Sequence, residues 1–152
     1  MASEVENITN TERIIMLERG ALDRWGKGDP GGFLDLYSTD ITYFDPLTET
    51  RIDGHQEMVN YYSPWFGKIK ITRYEMLNPQ VVVEGGMALL TYNLVNYIQD
   101  AEGAETVASC WNSTTVYQQS SGEWKTIHSH WSFTRHIAFQ NMSAEASEGQ
   151  GG

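Results

Sequence analysis

Apolar residues change their spacing once along this chain, from a helical period in the first third to long alternating runs in the second half. Ile14, Leu17, Ala21, Leu22 and Trp25 recur at helical spacing. Thr9 and Glu12 stand three apart just ahead of that stripe, as a capping-box pair does, so a helix starts there. Glu18 falls close to the stripe and weakens its apolar character. Gly26, Gly28 and the run Asp29-Pro30-Gly31-Gly32 stop the helix and turn the chain. Phe33 to Tyr37 reads as a short second helix. Ile41 to Asp45 alternates and is β-branched and aromatic, which predicts a strand ended by Pro46. His55 to Phe66 predicts a third helix, broken by Ser63-Pro64, with Met58, Tyr61, Tyr62 and Trp65 on one side.

Four longer strands follow, at about residues 70–83, 87–99, 105–118 and 124–135. Gly85-Gly86, Asp100 to Gly103 and Ser120-Ser121-Gly122 supply the turns between them. Helices first and then a meander of long strands predict an α+β fold with one curved antiparallel sheet over the helices. Residues 1–137 form a single domain on this reading. Residues 138–152 are mostly small and polar and read as a disordered tail.

Composition narrows the partners. With 152 residues the chain can bury a core without disulfide or metal. Cys110 is the only cysteine, which excludes an intrachain disulfide and a Cys-based zinc site and fits a cytoplasmic location. Residues 1–13 lack the basic start and apolar run of a secretory signal. No stretch approaches the roughly 20 apolar residues of a membrane span. The net charge of −10 repels a phosphate backbone, so nucleic acid is not an expected partner. Five Trp, eight Tyr and five Phe would favour a flat or apolar ligand wherever they line a pocket rather than a core.

Several local motifs resemble one superfamily. Gly28-Asp29 ends the first helix, Phe44-Asp45-Pro46 ends the first strand, and Asp53-Gly54 precedes the third helix. Leu77-Asn78-Pro79 opens the meander, and Gly122-Glu123-Trp124-Lys125 leads into Ile127-His128-Ser129-His130-Trp131-Ser132. In this order they resemble the nuclear transport factor 2-like superfamily. Within it the chain is most similar to SnoaL-like proteins and to the association (hub) domain of calcium/calmodulin-dependent protein kinase II. The resemblance implies a cone-shaped α+β barrel, three N-terminal helices packed in a strongly bent antiparallel sheet. It also implies self-association, as a dimer or larger ring, through the outer face of the sheet. No kinase Gly-rich loop or His-Arg-Asp block is present.

Asp45 is the candidate for chemistry. In the ketosteroid isomerase branch the general base is an Asp followed by Pro, nine residues before a Gly that precedes a helix. Asp45-Pro46 and Gly54 match that spacing. A carboxylate at a strand end facing an apolar cone is a sensible proton acceptor. The alternative is that Asp45 starts an Asp-Pro turn and caps local amides. That branch's helix-one tyrosine falls near Ala21, and its protonated aspartate near Thr114 or Thr115, so its paired donors do not carry over.

The expected ligand-binding set combines helix and strand residues. Trp25, Tyr61, Tyr62 and Trp65 come from the helical part, and Tyr43 from the first strand. Asn93 and Tyr97 share a face with Val95, Trp111, Ser113 and Thr115 a face with Tyr117, and Ser129 and Trp131 a face with Ile127. Core filling is the competing role for the aromatics. The resemblance matches Asn93, Thr115 and Trp131 to hub positions that carry anion-binding arginines. All three are uncharged here, which favours a neutral, partly apolar ligand. His128 and His130 lie two apart and share one face of their strand, which the resemblance places on the outside. With Tyr92, Asn112 and Thr114 they are expected on the convex face. No metal site and no cofactor are expected.

Three functions remain open from the sequence: an acid/base isomerase, cyclase or hydratase using Asp45; a ligand-binding protein without catalysis; and an oligomerisation module like the hub.

Overall fold

The computed structural model describes residues 8–134; the tail assigned to residues 138–152 lies outside the described residues. The chain runs α1 (Asn10–Gly26), α2 (Gly31–Leu36), β1 (Tyr37–Phe44), β2 (Ile52–Asp53), α3 (His55–Tyr62), a 3₁₀ turn (Ser63–Trp65), then β3 (Arg73–Glu84), β4 (Met87–Gln99), β5 (Glu105–Ser120) and β6 (Glu123–Phe133). The strands form one open sheet in the order β2-β1-β6-β5-β4-β3. This is a mixed α+β architecture, helices first and a curved, unclosed six-stranded sheet after them. No helix among the described residues is long and apolar enough to cross a membrane.

The start of α1 matches the sequence signal. The Thr9 hydroxyl accepts a bond from the Glu12 amide at 3.1 Å, satisfying one of the orphan donors of the first turn. The helix ends where Gly28 takes a φ of +88°, a conformation that strains any residue with a Cβ. A Cβ there would also meet the Gly67 Cα and the Ile69 carbonyl at 3.2 Å. The 66–71 segment therefore seats directly on the end of α1, pinned by bonds from Gly67 N to Gly28 O and from Ile71 N to Gly26 O.

Three differences from the sequence reading have physical causes. Residues 37–40 belong to β1, because Tyr37 ends the second helix and already pairs with Thr126. β1 runs parallel to β6, whereas every other neighbouring pair is antiparallel. Local pattern carries no information about so distant a pairing, and the short β2 gave too few residues for an alternation. The third difference is that the strands are interrupted by register shifts. One falls at Asn78-Pro79, where Asn78 has a φ of +49°, one at Ala108 and one at Ile127. Each puts an extra residue on one strand, which bends the sheet and increases its twist.

The concave face wraps α1. Ile14, Glu18, Ala21 and Leu22 are its buried residues. Opposite them β4 presents Leu90, Tyr92 and Leu94, and β5 presents Ser113, Thr115 and Tyr117. Glu18 is 1% exposed and explains its own place in the apolar stripe. The Tyr92 hydroxyl donates to its Oε2 at 2.6 Å, and the Tyr117 hydroxyl to its Oε1 at 2.5 Å. A buried carboxyl needs such partners, and here they tie the helix to two central strands. Tyr92, expected on the convex face, is thus a core residue, because β4 turns Leu90, Tyr92 and Leu94 inward together.

Burial raises the Glu18 pKa above the usual 4.5, and the two tyrosine bonds only partly oppose it. The folded protein then holds this proton more tightly than the unfolded chain does. The stabilisation from this group is complete below about pH 4.5 and is lost as pH rises through the raised folded value. Glu18→Gln keeps one acceptor and one donor for the two tyrosines and cannot ionise. In urea unfolding from pH 4 to pH 8, the stability difference between variant and wild type should move in the variant's favour as pH rises. A difference that stays flat with pH would show that Glu18 does not titrate in the folded protein.

Candidate functional site

One end of the concavity is left unfilled by α1 and forms a cavity of about 330 Å³. Its size falls in the range of small-molecule sites. Leu22 and Trp25 border it from the C-terminal half of α1, and Lys68, Ile69 and Ile71 from the segment seated on that helix end. Leu94, Asn96, Ser109, Trp111 and Trp131 are the sheet wall. Tyr43, Asp45 and Leu47 come from the end of β1, and Tyr61, Tyr62 and Trp65 from α3 and the turn after it.

The aromatic walls brace one another. Trp25 meets Tyr62 edge-on with centroids 5.2 Å apart, and Tyr43 meets Tyr62 at 5.9 Å. Trp131 stands at 89° to Phe33, 87° to Tyr92 and 88° to Trp111, each within 6.3 Å. Edge-to-face contacts of this kind are directional, so they hold the rings apart at fixed angles rather than letting them collapse. Behind them the Tyr37 and Tyr62 hydroxyls share a buried hydrogen bond of 3.0 Å. Burial pushes the Tyr37, Tyr43 and Tyr62 phenols well above their usual pKa, so all three stay protonated.

Asp45 is the carboxylate among the lining residues. It both caps the Asp-Pro turn and lines the cavity. Its Oδ1 accepts from the Leu47 amide at 2.8 Å, and its carbonyl accepts from the Thr48 hydroxyl at 2.9 Å and amide at 3.2 Å. The Tyr43 hydroxyl donates to Oδ2 at 2.9 Å, and the Tyr61 hydroxyl lies 2.7 and 2.8 Å from the two oxygens. An ionised carboxylate has about four acceptor positions. Three donors leave room for one more, on a carboxylate whose orientation is already fixed.

The other expected site residues divide cleanly. Trp25, Tyr43, Tyr61, Tyr62, Trp65, Trp111 and Trp131 line the cavity with Asp45. Ser113, Thr115 and Ser129 are on the concave face but are buried beneath it and do not line it. Asn93 and Tyr97 point the other way. Asn93 is exposed and bonds Asn112 Oδ1 at 2.7 Å, and Tyr97 lies under the Arg73 guanidinium at 3.9 Å with its hydroxyl on Glu75. Both corrections follow from one parity. Leu90, Tyr92 and Leu94 are the apolar half of the β4 alternation and take the inner face, so Asn96 and not Asn93 or Tyr97 reaches the cavity. With Asn93 outside and Thr115 beneath, Trp131 is the one hub-matched position that lines the cavity.

Lining residues absent from the expected set are Leu22, Phe33 and Leu94, which belong equally to the core, and Leu47, Lys68, Ile69, Ile71, Asn96 and Ser109. Asn96 and Ser109 were legible from strand parity. The 66–71 segment carries no periodicity and becomes a wall only because Gly28 admits it.

His128 is on the convex side, opposite the buried Ser129 and Trp131. Its Nδ1 is 2.7 Å from the Thr42 hydroxyl, and Phe44 packs against both His128 and His130 at 5.7 and 5.2 Å. Partial burial lowers the His128 pKa below the usual 6.5. Among the described residues no group of three or more His, Cys, Asp or Glu side chains could hold a metal ion. Cys110 is buried and does not line the cavity.

Solved structures share this architecture. A candidate ketosteroid isomerase from Parabacteroides distasonis is 35% identical, with a TM-score of 0.75 over 90% of this chain and 97% of its own. The association domain of C. elegans CaMKII is 22% identical, with a TM-score of 0.68 over 81% of this chain and 94% of its own. An NTF2-like protein of unknown function from Pseudomonas putida is 21% identical, with a TM-score of 0.69 over 86% and 90%. The last two establish the fold alone. No curated protein matches the chain. The family model of the SnoaL-like domain matches residues 22–136, which spans the cavity, Asp45 and the whole sheet. The chain belongs to the SnoaL-like domain family, with the nuclear transport factor 2-like cone fold.

Proposed function

We propose that the cavity binds a neutral, partly apolar small molecule and that Asp45 takes a proton from it, as an isomerase, cyclase or hydratase of the acid/base type would require. The observation that carries this reading is the Asp45 carboxylate itself. It lines an aromatic cavity, is oriented by Tyr43, Tyr61 and the Leu47 amide, and keeps one acceptor position open. An apolar surround also strengthens its interaction with a developing positive charge or a polarised proton. The candidate ketosteroid isomerase at 35% identity supports chemistry of this class. Likeness to the CaMKII association domain supports self-association in addition.

The ligand class follows from the lining. Lys68 is its single cationic residue and is exposed, and Asp45 repels anions from the same space. Burying a small carboxylate among Trp and Tyr rings without a paired cation costs several kcal/mol. In a thermal-shift comparison, uncharged aromatic compounds should raise the melting temperature more than small carboxylates of equal size. Larger shifts from the carboxylates would contradict this ligand class.

Asp45→Asn keeps the shape of the side chain and removes the proton acceptor. Turnover of a substrate, once identified, should fall by roughly 10²–10⁴-fold, the usual contribution of general acid–base catalysis. Circular dichroism and oligomeric state should be unchanged. Near-normal turnover in this variant would remove Asp45 from the chemistry and leave the binding role alone.

The convex face of the sheet carries apolar side chains that one copy of the chain leaves in water. Val82 is 58% exposed, Val107 45%, Leu89 39% and Leu77 38%. A second copy covering them would bury the kind of mixed apolar and polar surface that interfaces use. Light scattering at micromolar concentration should give at least twice the chain mass of 17.2 kDa. A monomer would refute the self-association.

A further inference from the structure

Three side chains on the sheet wall of the cavity form a cluster that the acid/base reading does not use. Ser109 Oγ accepts from the Asn96 amide nitrogen at 3.1 Å and from the Trp111 indole nitrogen at 2.9 Å. All three residues line the cavity, and Asn96 is 6% exposed. Two N–H groups occupy both lone pairs of the hydroxyl, so its own proton has no acceptor among these neighbours. If the Asn96 amide is turned over, Ser109 donates to the amide oxygen and the Asn96 NH₂ becomes the unspent group. Either way two donors of the cluster lack an internal acceptor, the Ser109 hydroxyl and the second Asn96 N–H in the first arrangement and both Asn96 N–H groups in the other. Trp111 takes part in both arrangements, because an indole N–H can only donate. Asn96 is buried and Ser109 and Trp111 are half-buried, so the donors left over face the cavity, where a ligand oxygen can accept them.

We propose that the Ser109–Asn96–Trp111 cluster is a second polar subsite, which donates a hydrogen bond to a neutral oxygen of the ligand, of the carbonyl or ether class. This rests on the cavity being a ligand site and extends it from one polar contact to two of opposite kind. Asp45 accepts, and the cluster donates. Phe44 pairs with His130 and Trp131 with Ser113, so Asp45 is level with Ser113, and Ser109 lies two strands away and four residues further along β5, roughly 16 Å from Asp45 between backbones at the usual strand spacing and rise. Trp131 of β6 lies in the intervening wall. The molecule that satisfies both is therefore flat and apolar in its middle, with an acceptor oxygen at one end and an acidic hydrogen at the other. Specificity follows from the pairing, since an analogue that lacks either polar end leaves a buried group without a partner.

Naphthalene, 2-acetylnaphthalene and 2-naphthol separate the two subsites in calorimetric titration. The acetyl compound offers only an acceptor, and the naphthol a donor for Asp45. The wild type should bind 2-acetylnaphthalene roughly three- to tenfold more tightly than naphthalene, the net value of one hydrogen bond. In Asn96→Leu/Ser109→Ala/Trp111→Phe the wall becomes apolar as a whole and no donor is orphaned. That variant should lose the preference for the acetyl compound whatever its affinity for naphthalene, so the ratio of the two affinities is the readout. An acetyl preference that persists in the variant, or is missing in the wild type, overturns the subsite. A second measurement does not depend on the variant folding. In the wild type, the Asn96 side-chain amide and Trp111 indole ¹⁵N–¹H resonances should shift with 2-acetylnaphthalene beyond the shift naphthalene causes. Equal shifts with both compounds overturn it. The Asp45 reading is judged separately, by a 2-naphthol preference that Asp45→Asn removes. Its failure with an intact acetyl preference leaves the subsite standing, and the reverse result leaves Asp45 standing. If none of the three compounds binds, both fall.

Discussion

A six-stranded sheet bent around one helix encloses more space than that helix fills, and the cavity exists because of this mismatch. α1 has 17 residues and is about 25 Å long. Its first half is locked to the sheet where Tyr92 and Tyr117 clasp Glu18. Beyond Leu22 the helix runs out against the loop at Gly28, and the sheet continues past it. The remaining space is bounded by aromatic rings set edge to face, which fill a wall without filling a core. The register shifts at Asn78-Pro79, Ala108 and Ile127 supply the curvature that makes the enclosure possible.

The parallel pairing of β1 with β6 gives this space its carboxylate. It carries the strand end at Phe44-Asp45 to the cavity, beside the strand that bears Trp131. A carboxylate delivered there by an ordinary Asp-Pro turn is held by the turn's own amide and by two tyrosines from different elements. Local turn geometry and pocket chemistry thus share one residue. Polar groups of opposite kind, an acceptor at Asp45 and the hydrogen-bonded cluster at Ser109, then stand in one apolar lining.

Much of this was legible before the structure. The Thr9 cap, the breaks at Gly28 and Pro64 and the four long strands follow from period and turn chemistry, which are local. The spacing of Asp45-Pro46 from Gly54 pointed to the residue that does line the cavity. What failed was non-local. Nothing in the alternation of Ile41 to Asp45 says that its neighbour lies more than 80 residues away and parallel. Asn93 was placed inside by its match to a hub arginine position, although Leu90, Tyr92 and Leu94 already formed the more apolar half of β4. The physical pattern was the better guide there, and it would also have found Asn96. The bulges limited parity in another way, since counting by twos across Ile127 changes face midway.

Whether the aromatic cavity takes a ligand with Asp45 as its polar contact is decided by a crystal structure of the protein grown with saturating 2-naphthol. The ring system should lie between Trp25, Tyr61 and Trp131, with its hydroxyl within hydrogen-bond distance of the Asp45 carboxylate. A compound seated on the convex face of the sheet, or shut out by Trp65 and Leu47 closing over the cavity, would remove the proposed ligand role.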